Sequence, residues 1–367
     1  VKISSIARIG AIGAVAALAL TGCAANEAPA TEGSTSDSTS TLEGTLRATG
    51  ASSQGAAQEA WVAGFQTANN GVTVNYEPTG SGTGRENFLA GASDFIGSDR
   101  AFKLDEFTEG GFGMCSSDAI VEVPLYISPV AVAFNLEGID SLNLDAATIA
   151  GIFAGTITNW NDAAIAEQNE GVELPDLVIS PVHRSDDSGT TETFTTYLAA
   201  TAADVWTHEP DGEWPINGGE AAQGTSGVVQ AITAGNGAIG YADASQTAEL
   251  GQVHVGVDGE YVAYSADAAA ALVEASPLEE GRGAGDLVFA IDPAAAPAGS
   301  YPIALVSYLI ACEQYEDANT AALVKSYFEY MASEEGQQAA ADNAGSAPIS
   351  AGLRDKVLAA IDTIKVD

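Results

Sequence analysis

The sequence predicts an α/β fold, and three observations carry that prediction. Short apolar runs alternate with stretches of helical periodicity from residue 45 to residue 361. Several of these runs end in loops rich in Gly, Ser and Thr that open a helical pattern, the sequence form of a strand–loop–helix unit. At 367 residues, 46% of them apolar, the chain has room for two domains of common size.

Taken in order, residues 45–49 read as a short strand and residues 54–68 as a helix. Residues 72–76 (Val-Thr-Val-Asn-Tyr) alternate as a half-buried strand does. A brief helix over 85–90 and a strand over 94–97 follow. Residues 119–134 are one long extended run containing Pro124 and Pro129. Proline cannot donate to a central ladder, and such a run is a candidate for passage between two domains. Residues 145–153 and 162–168 look helical. The apolar run 177–183 leads into Arg184, and residues 191–200 continue as an amphipathic helix. Residues 224–233 read as a helix, 237–241 as a buried strand and 301–312 as a late apolar strand. Helices over 320–331 and 352–361 close the chain, and no internal repeat of fixed period occurs.

The first residues stand outside this pattern. Lys2 and Arg8 precede an apolar stretch over residues 9–20, short for a membrane span, and Leu20-Thr21-Gly22-Cys23 follows. A basic segment, a short apolar segment and small residues before a cysteine resemble the lipobox of bacterial lipoproteins. The alternative is a plain secretory signal with an incidental Cys. The lipobox resemblance implies a signal peptide over residues 1–22 and a lipidated Cys23. It also implies attachment to the extracytoplasmic face of the cell membrane through more than one acyl chain. Residues 23–43, rich in Ser, Thr, Ala and Glu, have little to bury and read as a flexible tether.

Twelve Lys and Arg against 50 Asp and Glu give a formal charge of −38. Such a surface argues against nucleic acid or an anionic membrane face as the ligand. With Cys23 assigned to lipid, Cys115 and Cys312 remain, and an even pair in an exported protein favours a disulfide over a metal site. Neither has a CxxC neighbour, and His183, His208 and His254 show no ligand spacing, so no metal and no cofactor are expected.

The loops carry the chemistry. In Arg184-Ser185-Asp186-Asp187-Ser188-Gly189-Thr190 a strand breaks into hydroxyl and glycine residues before a helix. The unpaired N–H groups and positive dipole end of that helix, with the Arg184 fork, form a site for an anion. By itself the loop is open between this reading and ordinary capping. Three more loops repeat the design: Gly50-Ala51-Ser52-Ser53, Gly80-Ser81-Gly82-Thr83-Gly84 and Gly97-Ser98-Asp99-Arg100. None is a phosphate loop of the GxxxxGK[ST] kind or a dinucleotide fingerprint. In open α/β sheets, however, ligands gather at the carboxyl ends of strands.

Together these stretches resemble the phosphate-binding proteins that serve bacterial phosphate ABC importers, in the two-lobed periplasmic-binding-protein superfamily (type II). The resemblance covers nearly the whole chain after the leader. It also rests on Pro129-Val130-Ala131-Val132-Ala133-Phe134-Asn135, Ile157-Thr158-Asn159-Trp160-Asn161-Asp162 and Gly237-Ala238-Ile239-Gly240-Tyr241. It implies one lobe over residues 44–126 and 252–367, a second over 127–251, a hinge between them and the ligand in the cleft. The implied phosphate-binding set is Ser52, Ser53, Ser81, Asp99, Arg184, Ser188, Gly189 and Thr190. The first loop departs from the family's Thr-Phe or Ser-Thr by carrying Ser52-Ser53, and the Cys115/Cys312 pair lies outside the family's shared pattern. Asp186 is expected to pair with Arg184 and hold its plane, helix capping being the alternative. The implied partners are inorganic phosphate and the permease of an ABC importer with its cytoplasmic ATPase; a monomer is expected.

Asp99 discriminates among anions. A carboxylate about 4 Å from an anion is repelled by roughly 4 kcal/mol at an effective dielectric of 20, so it helps only if a proton lies between them. Phosphate retains a proton near neutral pH and sulfate does not. The bland alternative makes Asp99 a partner for Arg100 or a cap. Competing functions are binding of sulfate or molybdate, which Asp99 disfavours, and a secreted phosphatase. The latter needs a base beside Ser188 or Ser53, and strand alternation turns His183 away from Arg184. The expectation is a binder and not an enzyme.

Overall fold

The computed structural model describes residues 42–109 and 111–366. The expected leader, Cys23 and all but the last two residues of the expected tether lie outside them.

The chain begins as a parallel α/β unit. β1 (Gly44–Gly50) is flanked by β2 (Val72–Glu77) and β3 (Phe95–Ser98), with α1 (Gly55–Ala68) and α2 (Ser81–Leu89) as the crossovers. Leu46 and Ala48, at alternate positions of β1, are buried in the same core as Trp61 and Phe65 of α1. A short helix, α3 (Leu104–Glu109), leads to β4 (Ile120–Phe134), in which every residue is buried.

The next segment holds β5 (Ser141–Leu144), α4 (Ala146–Phe153), α5 (Ala163–Ala166) and β6 (Ser180–Arg184). It continues through α6 (Gly189–Thr201), β7 (Glu220–Ala222), α7 (Gly224–Ala234) and β8 (Ala238–Asp243). β9 (Gly251–Val257), β10 (Glu260–Val262) and α8 (Ala266–Ala275) precede β11 (Ala304–Cys312). The helices α9 (Ala318–Ala332), α10 (Glu334–Ala344) and α11 (Ala351–Ile361) end the described chain.

The strands form one curled sheet in the order β2-β1-β3-β11-β4-β8-β6-β7, with β9 branching from β4 to β5 and β10. β4 is the strand common to both halves. Its residues up to Pro129 pair with β11, and from Val130 onward they pair with β8. The partner change falls at the proline. Pro129 has no N–H to give, and the Val130 N–H goes to the carbonyl of Ile303 at 2.8 Å. Pro124 sits beside a register shift at Ser307/Tyr308, a bulge that spares the ladder a missing donor.

β9 pairs with β4 at Ala133↔Gln252 and with β5 at Leu142↔Val253. The reason is apolar alternation, since Val253 and Val255 bury against Leu142 and Leu144.

Cys115 and Cys312 form a disulfide with an S–S distance of 2.03 Å, tying the end of β11 to a loop 197 residues earlier. At the seam the Tyr126 hydroxyl donates to Asp243 Oδ1 at 2.9 Å, and the Ser245 N–H donates to the same oxygen at 3.0 Å. Burial pushes the Asp243 carboxyl up to about 6, against hydrogen bonds from Ser245, Ser128 and Tyr126.

Thiol counting on denatured, unreduced protein should find neither Cys115 nor Cys312 free. Replacing both by Ala should cost about 2–5 kcal/mol in denaturant unfolding; an unchanged midpoint would speak against a stabilising bridge. Asp243 titrates near 3.9 when unfolded, so its raised folded value destabilises the fold fully above pH 6, and the cost disappears as pH falls toward 4. Asp243→Asn should therefore be more favourable at pH 8 than at pH 4 by on the order of 2 kcal/mol. Equal stability changes at the two pH values would reject that account.

Candidate functional site

Helix N-termini from both halves of the sheet converge beside the seam. Ser52 and Ser53 lead into α1, and Ser81 is the first residue of α2. Ser188, Gly189 and Thr190 open α6, while Gly224 and Thr225 open α7. Each follows a strand whose exit is turned by glycine, hydroxyl or carboxylate residues, and contacts between these exits bring the first turns of the helices together. Gly80 allows this closeness: its φ is 105°, and a Cβ there would lie 2.5 Å from Asp186 Oδ2. Gly189 packs on Asp99 so tightly that a Cβ would lie 2.5 Å from the aspartate Cβ.

Asp99 is the centre of the arrangement. Its Oδ1 accepts from Ser53 Oγ and from Ser307 Oγ, each at 2.6 Å, and its Oδ2 accepts from Thr190 Oγ1 at 2.9 Å. Its backbone N–H donates to Ser81 Oγ at 3.1 Å. Burial pushes the Asp99 carboxyl up; the hydroxyls of Ser307, Ser53 and Thr190 and the charge of Arg184 pull the other way. Arg100 is not its partner, because that guanidinium pairs with Glu106 at 2.7 Å and with Glu192 at 3.1 Å.

Arg184 is buried and held in plane by Asp186, with Nε donating to Oδ1 at 2.8 Å and Nη2 donating to Oδ2. Asp186 Oδ1 also accepts from the Gly224 N–H at 3.1 Å, so one carboxylate joins the Arg184 loop to α7. Ser188 caps α6, its Oγ accepting from the Thr191 N–H at 3.3 Å. Ser52 is engaged elsewhere than its neighbour: its Oγ lies 3.1 Å from Thr225 Oγ1 and accepts from the Thr225 N–H at 3.0 Å. Of the expected set, Ser53, Ser81, Gly189 and Thr190 gather on Asp99, Arg184 lies within its electrostatic reach, and Ser52 bridges to α7.

Contacts absent from the sequence reading close the cleft. Arg85 pairs with Asp187 at 3.1 Å, and the Gly82 N–H donates to the Asp187 carbonyl at 3.1 Å. Ser307 and Thr225 were also missed. Thr225 carried a usable signal, because Gly224-Thr225-Ser226-Gly227 has the same composition as the other loops. Ser307 carried only a weak one, a lone hydroxyl in an apolar strand.

His183 turns away from the serines. Its ring stacks on Trp214 at 5.1 Å, and its nitrogens face the carbonyl oxygens of Arg184 at 2.9 Å and Gly218 at 3.1 Å. Among the described residues no group of three metal-ligating side chains occurs. The arrangement sets helix N-terminal turns, hydroxyl groups and the Arg184 guanidinium about the buried Asp99 carboxylate. That suits an anion that still carries a proton.

Comparison with known proteins agrees. A family model described as the PBP superfamily domain matches residues 31–335. The phosphate-binding protein PstS 3 of Mycobacterium leprae is 33% identical over 327 residues, covering 87% of each chain. PstS 3 of Mycobacterium tuberculosis is 34% identical over 327 residues, covering 87% of this chain and 86% of its own. Among solved structures, a high-affinity periplasmic phosphate-binding protein bound with phosphate (PfluDING) superposes with a TM-score of 0.67. It is 23% identical and covers 86% of this chain and 93% of its own, a likeness of fold. The chain belongs to the PBP superfamily and, within it, to the family of phosphate-binding proteins of the PstS kind.

Proposed function

We propose that this chain binds inorganic phosphate on the extracytoplasmic side of a bacterial membrane and delivers it to the permease of an ABC importer. The observation that carries the reading is Asp99, a carboxylate acceptor set among anion donors. With Arg184 and the helix ends favouring negative charge, an acceptor selects an anion able to supply a proton. Monoprotonated phosphate does so near neutral pH. Sulfate and molybdate do not, and they meet the repulsion of roughly 4 kcal/mol estimated for two unit charges about 4 Å apart.

The proposed ligand set is Ser52, Ser53, Ser81, Asp99, Arg184, Ser188, Gly189 and Thr190, with Asp186 orienting Arg184. The two halves act as lobes that close by a hinge in β4. Strand pairing supports residues 44–129 and the segment from α8 onward as one lobe, and residues 130–262 as the other. Ser52–Thr225, Thr190–Asp99 and Arg85–Asp187 are contacts of the closed form. The protein works as a monomeric binder and not as an enzyme, anchored through a lipidated Cys23.

Arg184→Met should lower phosphate affinity on the order of 100-fold, since it removes a charge-assisted pair of donors and leaves Asp186 unpaired. Calorimetry with an unchanged circular-dichroism spectrum is the measurement; an affinity within threefold of the wild type would reject Arg184 as a ligand group. Asp99→Asn should narrow the preference for phosphate over sulfate about tenfold or more. A variant that still ignores sulfate would overturn the proton argument.

A further inference from the structure

A buried chain of hydrogen bonds runs from α9 to Asp99 with one direction throughout. The Tyr327 hydroxyl donates to Gln58 Oε1 at 2.9 Å, and Gln58 Nε2 donates to Gln54 Oε1 at 3.0 Å. Gln54 Nε2 then donates to Ser307 Oγ at 2.6 Å, and Ser307 Oγ donates to Asp99 Oδ1 at 2.6 Å. Tyr327, Gln58, Gln54 and Ser307 are all buried, so water does not compete for these bonds. The direction is set at Gln54. Its Nε2 also lies 3.4 Å from the carbonyl oxygen of Tyr308, which only accepts, so the amide nitrogen and not the amide oxygen faces β11.

An amide N–H on the serine oxygen leaves the serine proton for Asp99. Ser53 places its proton on the same carboxylate oxygen. An oxygen that takes two hydroxyl donors is a poor position for a proton of its own. Oδ2 takes Thr190, from the opposite half of the cleft. We propose, resting on the phosphate reading above, that Ser307 and Gln54 are specificity-determining positioning residues. They hold Asp99 ionised with Oδ1 closed to protons, so that Oδ2 is the acceptor for the one proton that separates phosphate from sulfate.

Neither residue needs to touch the ligand; both act through Asp99. Burial works against the ionised carboxylate, and the Ser307 hydrogen bond is the first of the effects that oppose it. The other titratable groups facing Asp99 are Arg184 of β6, which favours the charged form, and Tyr76 of β2, whose hydroxyl is committed to the Ala51 carbonyl at 2.9 Å. Arg100, Lys103, Glu192, Glu279, Arg282 and Asp292 line the same cavity as Asp99. Loss of the Ser307 proton lets Asp99 protonate at higher pH. A protonated Asp99 is a donor, and a donor accepts the fully deprotonated sulfate.

The test is calorimetry of the mature chain with sodium phosphate and sodium sulfate between pH 5 and pH 9. In Ser307→Ala the onset of sulfate binding should move to higher pH by about one unit or more. Gln54→Met, which frees the serine hydroxyl to turn, should move it in the same direction, and Ser307→Thr should restore the wild-type onset. Folded Ser307→Ala and Gln54→Met variants that bind phosphate with the wild-type sulfate onset would overturn this proposal and leave the phosphate reading standing. If Ser307→Ala does not fold, the Gln54→Met onset decides. A wild-type chain that binds sulfate as tightly as phosphate, or binds neither, would overturn the phosphate reading and this proposal together.

Discussion

Burying the carboxylate of Asp99 costs several kcal/mol unless hydrogen bonds and an opposite charge compensate it. The compensation comes from elements far apart in sequence: Ser53 before α1, Ser307 on β11 and Thr190 in the first turn of α6. Each must be delivered to within hydrogen-bond reach, which sets how the two halves meet in this structure. The same demand accounts for Gly189, where any side chain would collide with Asp99. A single buried charge thus constrains the packing of β3, β11, α1 and α6 around it.

β4 makes that meeting possible. It is buried along its whole length and changes partner at Pro129/Val130, so the halves share one strand and differ in what flanks it. The Ser307/Tyr308 bulge lies opposite Tyr126 and Pro124 of the same strand. The proline that interrupts the ladder and the serine that reaches Asp99 are therefore features of one irregularity. Tyr126 also donates to Asp243 across the seam, so a second buried carboxylate is fastened where the halves join.

A chain of formal charge −38 that builds an anion site appears contradictory. The resolution is distance. Surface carboxylates are screened beyond about 8 Å at physiological salt, whereas the proposed ligand groups, Arg184 among them, would act within hydrogen-bond reach in a buried setting. Three acidic residues around Asp99 are each paired with an arginine: Asp186 with Arg184, Asp187 with Arg85, Glu192 with Arg100.

The α/β class, the order of the main strands and helices, and the loops that carry hydroxyl and glycine residues are legible from the sequence, because each is written in local periodicity and composition. The segment over 251–275 was not legible: β9, β10 and the alanine-rich α8 have short or weak patterns, and only their partners in β4, β5 and β11 make them stable. Ser53, Ser81, Asp99 and Thr190 could be named through the family resemblance, which places its ligand set on the hydroxyl-rich loops. That Ser52 turns to Thr225 while Ser53 turns to Asp99 was decided by tertiary structure, as was the pairing of Arg85 with Asp187. So was the hydrogen-bond chain through Gln54 and Ser307, residues 253 positions apart. Local sequence specifies which donors and acceptors exist; burial and long-range packing decide which of them meet.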